Sequence, residues 1–216
     1  MSGDDTRTGD KARPIGRPSL EAAGQLEQAL LAAALKVFIE AGFQAASMEA
    51  IAREAGVTKR TLYRRARNKG ELFVDVVDRL AQQAGMPQLS CIAPGPLKQR
   101  LTSASEILLG WLLEPKALAL YRLIVADAAR HPGLARTVDG PFQRASDAVA
   151  AILALDDPRP APTVRLGADM FVRLVAGEAL DRAAQGIEPA AVTQQVRERS
   201  IAAVEFFLAG WRTWRV

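Results

Sequence analysis

Apolar side chains recur along most of the chain at intervals of three and four residues, the repeat of one helical face, and no stretch alternates apolar and polar as a half-buried strand does. Leu26, Leu30, Ala33, Ala34, Val37 and Phe38 form the first stripe, which Gly42 stops. Ser47 is placed to cap a short helix over residues 48–55, with Met48, Ile51, Ala52 and Ala55 on one face, and Gly56 can take the left-handed conformation that closes it. Thr58 caps a second short helix to about residue 65, with Leu62 facing inward. Asn68 caps a longer one to about residue 84, carrying Leu72, Phe73, Val76, Val77 and Leu80. Residues 85–96, with Pro87, Pro94, Gly95 and Pro96, separate two helical regions.

Beyond that break, Leu97, Leu101, Ala104, Leu108, Trp111 and Leu112 make one stripe. Ala117, Leu120, Tyr121, Ile124, Val125 and Ala128 make the next, with Pro115 between them. Residues 134–138 and 142–153 read as one helix interrupted or kinked near Gly140 and Pro141, and residues 156–162, with three prolines, as a loop. Two long apolar helices, about 164–185 and about 189–211, finish the pattern, the second with Pro189 in its first turn. The expectation is an all-α protein of about nine helices.

Residues 1–19 hold almost no large apolar side chain to repay the entropy of ordering, and read as a flexible basic arm. Lys11, Arg13 and Arg17 there resemble a minor-groove hook, but the interspersed acids favour a solvated tail. With 216 residues, 49% hydrophobic and 24% charged, the chain has the composition of a soluble globular protein of one or two domains. No apolar run approaches the roughly 18 residues that cross a bilayer. The first 25 residues contain acids and no apolar h-region, so neither a secretory signal nor a transit peptide fits, and a cytoplasmic location without membrane partners is expected. Cys91 is the single cysteine and His131 the single histidine, which excludes an internal disulfide, a Cys/His zinc cage and a Ser-His-Asp or Cys-His triad. Neither a metal nor a cofactor is expected.

The net charge of +4 is unevenly placed: residues 53–69 carry Arg53, Lys59, Arg60, Arg64, Arg65, Arg67 and Lys69 against Glu54 alone, which leaves the rest slightly acidic. Two short helices joined at Gly56 and Val57, the second bearing this charge, have the design of a helix-turn-helix. In that design the first helix crosses the DNA backbone and the second lies in the major groove, where cationic side chains reach guanine edges and hydroxyls meet phosphates. Ala52, Ala55 and Gly56 permit close approach of the two helices, with Ile51, Val57 and Leu62 as the core between them.

The stretch Ile51-Ala52, Ala55 through Tyr63 (AGVTKRTLY), Asn68-Lys69 and Leu72-Phe73, preceded by Gly42-Phe43, resembles the TetR-type transcriptional regulators over roughly residues 26–80. That resemblance implies an N-terminal three-helix domain (residues 20–67) that binds double-stranded DNA and a C-terminal domain (residues 68–216) for effector binding and dimerisation. It implies a homodimer, most simply a repressor, whose two recognition helices sit about one helical turn of DNA (~34 Å) apart on a pseudo-palindrome. By similarity, Thr58, Lys59, Arg60, Thr61, Tyr63 and Arg64 form the DNA-contacting face, and Ser47 and Lys69 contact phosphates. The chain departs from the pattern at Arg65-Ala66, where the family commonly has His-Phe: an aromatic core plug is missing and a charge is added. The run from Leu120 to Arg130, with Pro132, Leu134 and Ala135, looks like the AefR-like branch.

In the C-terminal half, Trp111, Tyr121, Phe142, Met170 and Leu174 are candidates for an apolar effector pocket, with plain core as the alternative for each. Phe171, Val175, Val204, Phe207, Leu208 and Trp211 are candidates for a dimer interface of two helices and their copies, with burial inside one subunit as the alternative. Asp127 and Glu178 lie among apolar residues, but Arg182 one turn after Glu178 suggests a surface pair. His131, before Pro132 and Gly133, suits a helix-end cap. Two other readings of the basic patch are an all-helical carrier or enzyme binding an anionic cofactor, and a sequence-indifferent architectural DNA protein. The chain has no G-x-x-x-x-G-K-[ST] loop, no G-x-S-x-G elbow and no metal-ligand cluster.

Overall fold

The computed structural model describes residues 20–83, 92, 94–130, 132–155 and 157–214, which form helices and connections with no strand among them. The helices are α1 (Leu20–Ala45), α2 (Met48–Glu54), α3 (Lys59–Arg65), α4 (Lys69–Gln83), α5 (Leu97–Leu112), α6 (Pro115–Asp127), α7 (Pro132–Ala154), α8 (Ala161–Ala184) and α9 (Gln194–Thr213). The arm of residues 1–19, most of the 85–96 breaker segment, Cys91 and His131 lie outside the described residues.

Local chemistry accounts for most of the boundaries. Gly42 leaves the helical conformation (φ 78°, ψ 164°) and turns the last residues of α1 toward the α2 cap. Glu114 caps α6, its carboxylate accepting from the Lys116 and Ala117 N–H groups at 2.8 and 2.9 Å, with Pro115 in the first turn. Helix α7 runs through Pro141 as one element, in line with the reading of residues 134–138 and 142–153 as a single helix. The start of α9 differs from the sequence reading. Pro189 lies before α9, which starts at Gln194 under the Thr193 cap. The intervening residues are held instead by the Arg182 carbonyl, which accepts from Ile187 and Glu188 N–H, and by the Glu188 carboxylate, which pairs with Arg182 (2.7 Å) and Arg199 (2.6 Å).

Two apolar cores result. The larger joins α5, α7, α8 and α9 around residues such as Leu101, Leu108, Leu153, Ala168, Phe171 and Val204. The smaller joins α1 to α4, and its centre is a ring cluster in which Phe38 lies 5.9 Å from Phe43 and 5.0 Å from Phe73. Those rings occupy the small core although Ala66, also buried, brings none. Leu120 and Ile124 of α6 belong to this smaller core as well, so α6 is shared between the halves. Arg100 is 4% exposed and bonds the carbonyls of Gly95 and Ile152 at 2.9 Å each, fastening the start of α5 to α7.

Candidate functional site

The reading head is α2, its turn and α3. Ser47 Oγ accepts from Ala50 N–H at 3.1 Å and starts α2; Val57 N–H reaches the Ala52 carbonyl at 2.9 Å and ends it, with Gly56 at φ 65°. Thr58 Oγ1 accepts from Thr61 N–H at 3.2 Å and lies 2.9 Å from Thr61 Oγ1, so both hydroxyls sit at the entry to α3. Ile51 and Leu62 are fully buried between the helices, which fixes the rotation of α3. With Leu62 inward, Lys59, Arg60, Tyr63 and Arg64 are exposed, Tyr63 at 47%.

The seven basic residues of this segment divide by their partners. Lys59 pairs with Glu49 at 2.6 Å, and this draws the Glu49 carboxyl below its ordinary range. Arg65 is held by Glu27 and Asp75, both at 2.8 Å, and so tethers the end of α3 to α1 and α4; the added charge of the sequence is a strut. Asp75 is pushed up by its own burial, an effect that Arg65 opposes. Lys69 donates to the carbonyls of Gln44 and Ala46 at 3.0 and 2.9 Å and sits 4.7 Å over the Phe43 ring; burial lowers its pKa. Two of its three donors thus clasp the α1–α2 connection. Arg53, Arg60, Arg64 and Arg67 are exposed and make no ion pair among the described residues. Two of these guanidinium groups, Arg60 and Arg64, lie on α3, with Arg53 on α2 and Arg67 just past α3, an electrostatic surface for a polyanion.

The five pocket candidates separate. Trp111, Tyr121 and Phe142 line a cavity of about 40 Å³ with Val77 and Leu80 of α4, Leu120 and Ile124 of α6 and Pro141 of α7. Met170 and Leu174 do not join them: they are 52% and 42% exposed on an outer groove of α8 and α9, shared with Phe206, Phe207, Trp211 and Trp214. The interface candidates also need correction. Phe171 and Val204 are wholly buried, and Val175, Phe207, Leu208 and Trp211 nearly so, because they pack α8 against α9 within the chain. Phe207 lies 5.1 Å from Phe171 and stacks on Trp211 at 5.5 Å, so these rings are core. The apolar side chains facing outward from these helices are Leu166, Met170, Leu174, Ile201 and Phe206. Glu178 pairs across helices with Arg199 at 2.8 Å, while Arg182 serves Glu188; Asp127 lies 3.9 Å from Arg130.

Sequence reasoning missed three positioning arginines. Besides Arg100, Arg122 donates to the carbonyls of Ala183 and Ala184 at 2.6 and 2.8 Å, closing α8, and Arg159 lies 3.6 Å over the Trp211 ring. Arg100 had a signal: it falls on the same helical face as Leu97, Leu101 and Ala104. No helix among the described residues is long and apolar enough to cross a membrane, and no group of metal-ligating side chains occurs among them.

Comparison with known proteins agrees with this geometry. Residues 30–76 match the family described as bacterial regulatory proteins, tetR family, and residues 99–213 match the AefR-like transcriptional repressor, C-terminal domain. The chain is 32% identical over 170 residues to the HTH-type transcriptional activator FasR of Mycolicibacterium smegmatis, covering 74% of each chain. Among solved structures, a TetR-family transcriptional regulator from Mesorhizobium loti is 25% identical, with TM-score 0.70 over 87% of this chain and 96% of that one. The flavonoid-responsive regulator FrrA is 27% identical, with TM-score 0.64 over 87% and 97%. A transcriptional regulator of the same fold, FadR from Bacillus subtilis in complex with stearoyl-CoA, is 14% identical with TM-score 0.62 over 85% and 98%. The exposed cationic helix held by Gly56 and Thr58, on a chain with nine helices among its described residues and matched in both halves, makes this protein a transcriptional regulator that belongs to the tetR family.

Proposed function

We propose that the protein is a homodimeric, ligand-responsive repressor that reads a pseudo-palindromic operator. Thr58, Lys59, Arg60, Thr61, Tyr63 and Arg64 contact DNA from α3, and Ser47 and Lys69 take phosphates on either side. Residues 20–67 act as the DNA-binding part and residues 68–216 as the effector and dimer part. The outward apolar face of α8 and α9, centred on Phe206, joins a second copy.

One observation carries the coupling. Helix α4 begins at Lys69, which clasps the α1–α2 connection of the reading head, and farther along contributes Val77 and Leu80 to the cavity wall. A cavity of about 40 Å³ is well under the roughly 150 Å³ that admits benzene, so a ring-sized effector enters by parting α4 from Pro141 and Phe142. Displacement of α4 carries the reading head with it and changes the spacing of the two recognition helices. The effector shifts the equilibrium only as far as it prefers the parted form. The cytoplasm, where operator and effector meet, is the compartment this mechanism requires.

The test is selection of duplexes from a random DNA pool by the purified protein, followed by binding to the enriched sequence at several salt concentrations. The expected result is a two-fold symmetric consensus and a log–log salt slope of about −0.9 per phosphate contact. Equal affinity for random and selected duplexes would contradict operator recognition.

A further inference from the structure

We propose that the effector is an uncharged, ring-bearing molecule that presents one hydrogen-bond acceptor to the indole N–H of Trp111. The inference rests on the reading of the α4–α6–α7 cavity as the effector site. Trp111 lines that cavity and is 6% exposed, and its Nε1–H is buried with no hydrogen-bond partner among the described residues. Native proteins leave few buried donors unpaired, because each forfeits its hydration without return. The other polar side chain on the wall is Tyr121, whose pKa is held up by burial first and by the Asp181 carboxylate second. The wall thus includes a residue with a buried donor that pairs with nothing among the described residues.

The wall fixes the remainder of the ligand's chemistry. Every side chain lining the cavity is uncharged, so a carboxylate or phosphate entering it would lose its hydration with no cation to receive it. Trp111 and Phe142 meet edge to face, 6.4 Å apart at 71°, and present flat aromatic surfaces against which a ring packs better than a flexible acyl chain. An aryl ketone satisfies all three conditions, with its carbonyl oxygen accepting from Nε1–H and its rings against the aromatic wall. Trp111 is then a specificity-determining residue, selecting ligands that carry an acceptor over hydrocarbons of the same shape.

The probes are tetralin, 1-tetralone and tetralin-1-carboxylate, titrated into the full-length protein labelled with 15N at its indole nitrogens. 1-Tetralone is expected to bind roughly five- to tenfold tighter than tetralin, the worth of one buried neutral hydrogen bond. It should also move downfield the indole N–H resonance that is absent from Trp111→Phe. In that variant the ketone-to-hydrocarbon ratio should fall to about one; if the variant does not fold, the ratio and the indole shifts in the unaltered protein still decide. The carboxylate should not compete. Equal binding of ketone and hydrocarbon without an indole shift would overturn the acceptor assignment and leave the cavity as an effector site. Carboxylate binding as tight as that of the ketone would overturn the uncharged class. Binding of neither neutral probe, with no response from Val77 or Leu80 methyl groups, would overturn the cavity reading and this proposal with it.

Discussion

Gly167 lies inside α8 beneath the Trp211 ring, and replacing it with alanine sets two effects of opposite sign against each other. In an unobstructed helix, glycine to alanine gains about 1 kcal/mol of propensity. At residue 167 a Cβ would lie 2.6 Å from Cη2 and 2.9 Å from Cε3 of Trp211, and nearer still to Cζ3. The ring must therefore withdraw by more than 1 Å from ordinary van der Waals contact at roughly 3.5–4.0 Å. It has little room, being 4% exposed, stacked on Phe207 and covered by Arg159. Overpacking of this kind costs about 1–3 kcal/mol, and this contact falls at or above the upper part of that range, so clash outweighs propensity by roughly 1–2 kcal/mol. Gly110, an exposed residue in α5 with nothing within 4 Å of its added methyl, supplies the control and should gain the propensity alone. Urea unfolding at fixed protein concentration reads both, with a slope of about 1–3 kcal/mol per molar placing the Gly167→Ala midpoint roughly 0.3–2 M below the parent. A Gly167→Ala midpoint at or above the parent, with an unchanged slope, would refute the reasoning.

Four further outcomes are expected. Arg60→Ala should lower operator affinity by about 1–3 kcal/mol and relax specificity at the contacted base pair if its guanidinium reads a base. Glu49→Gln should release Lys59 from its internal partner and steepen the salt slope of DNA binding by up to about 0.9; an unchanged slope means that Lys59 does not reach phosphate. The Asp75 carboxyl, raised by burial above its ordinary 3.8, should protonate at higher pH in the folded chain than in the unfolded one. Through that window the folded state binds more protons, so this group's contribution to stability increases as pH falls, and a carboxyl NMR titration at or below the ordinary value would contradict it. Phe206→Glu, at a side chain 75% exposed, should leave helix content unchanged and convert the proposed dimer to monomer in light scattering, with loss of operator binding.

The N-terminal helices were legible because their signals are local. Ser47, Gly56 and Thr58 each act within three or four residues, and each does in the structure what its type and spacing imply. Pro189 misled because its signal for a helix start is also local, whereas the Glu188 pairs with Arg182 and Arg199 that hold that stretch as a connection cross between elements. The rotation of α8 and α9 was illegible for a different reason. Both carry apolar residues on adjacent stripes, Met170 beside Phe171, Leu174 beside Val175 and Phe206 beside Phe207. A 100° rotation exchanges inward for outward without changing the pattern. Three pocket residues on α5, α6 and α7 were legible as large apolar groups, but the part of α4 in the wall was not, since Val77 and Leu80 read equally well as core of the reading head.

The sharing of α6 between the two cores bears on how regulators of this architecture can be recombined. A chimaera cut after residue 67 would sever Phe73 from Phe38 and Phe43 and strip Leu120 and Ile124 from the floor beneath α1 and α4. The transplanted head would expose that floor as a greasy scar, and its new host would have to present matching side chains from its own sixth helix. Under the proposed reading of α3, exchange of operator specificity is therefore simplest on its solvent side, through Arg60, Tyr63 and Arg64, where nothing of the shared interior is disturbed.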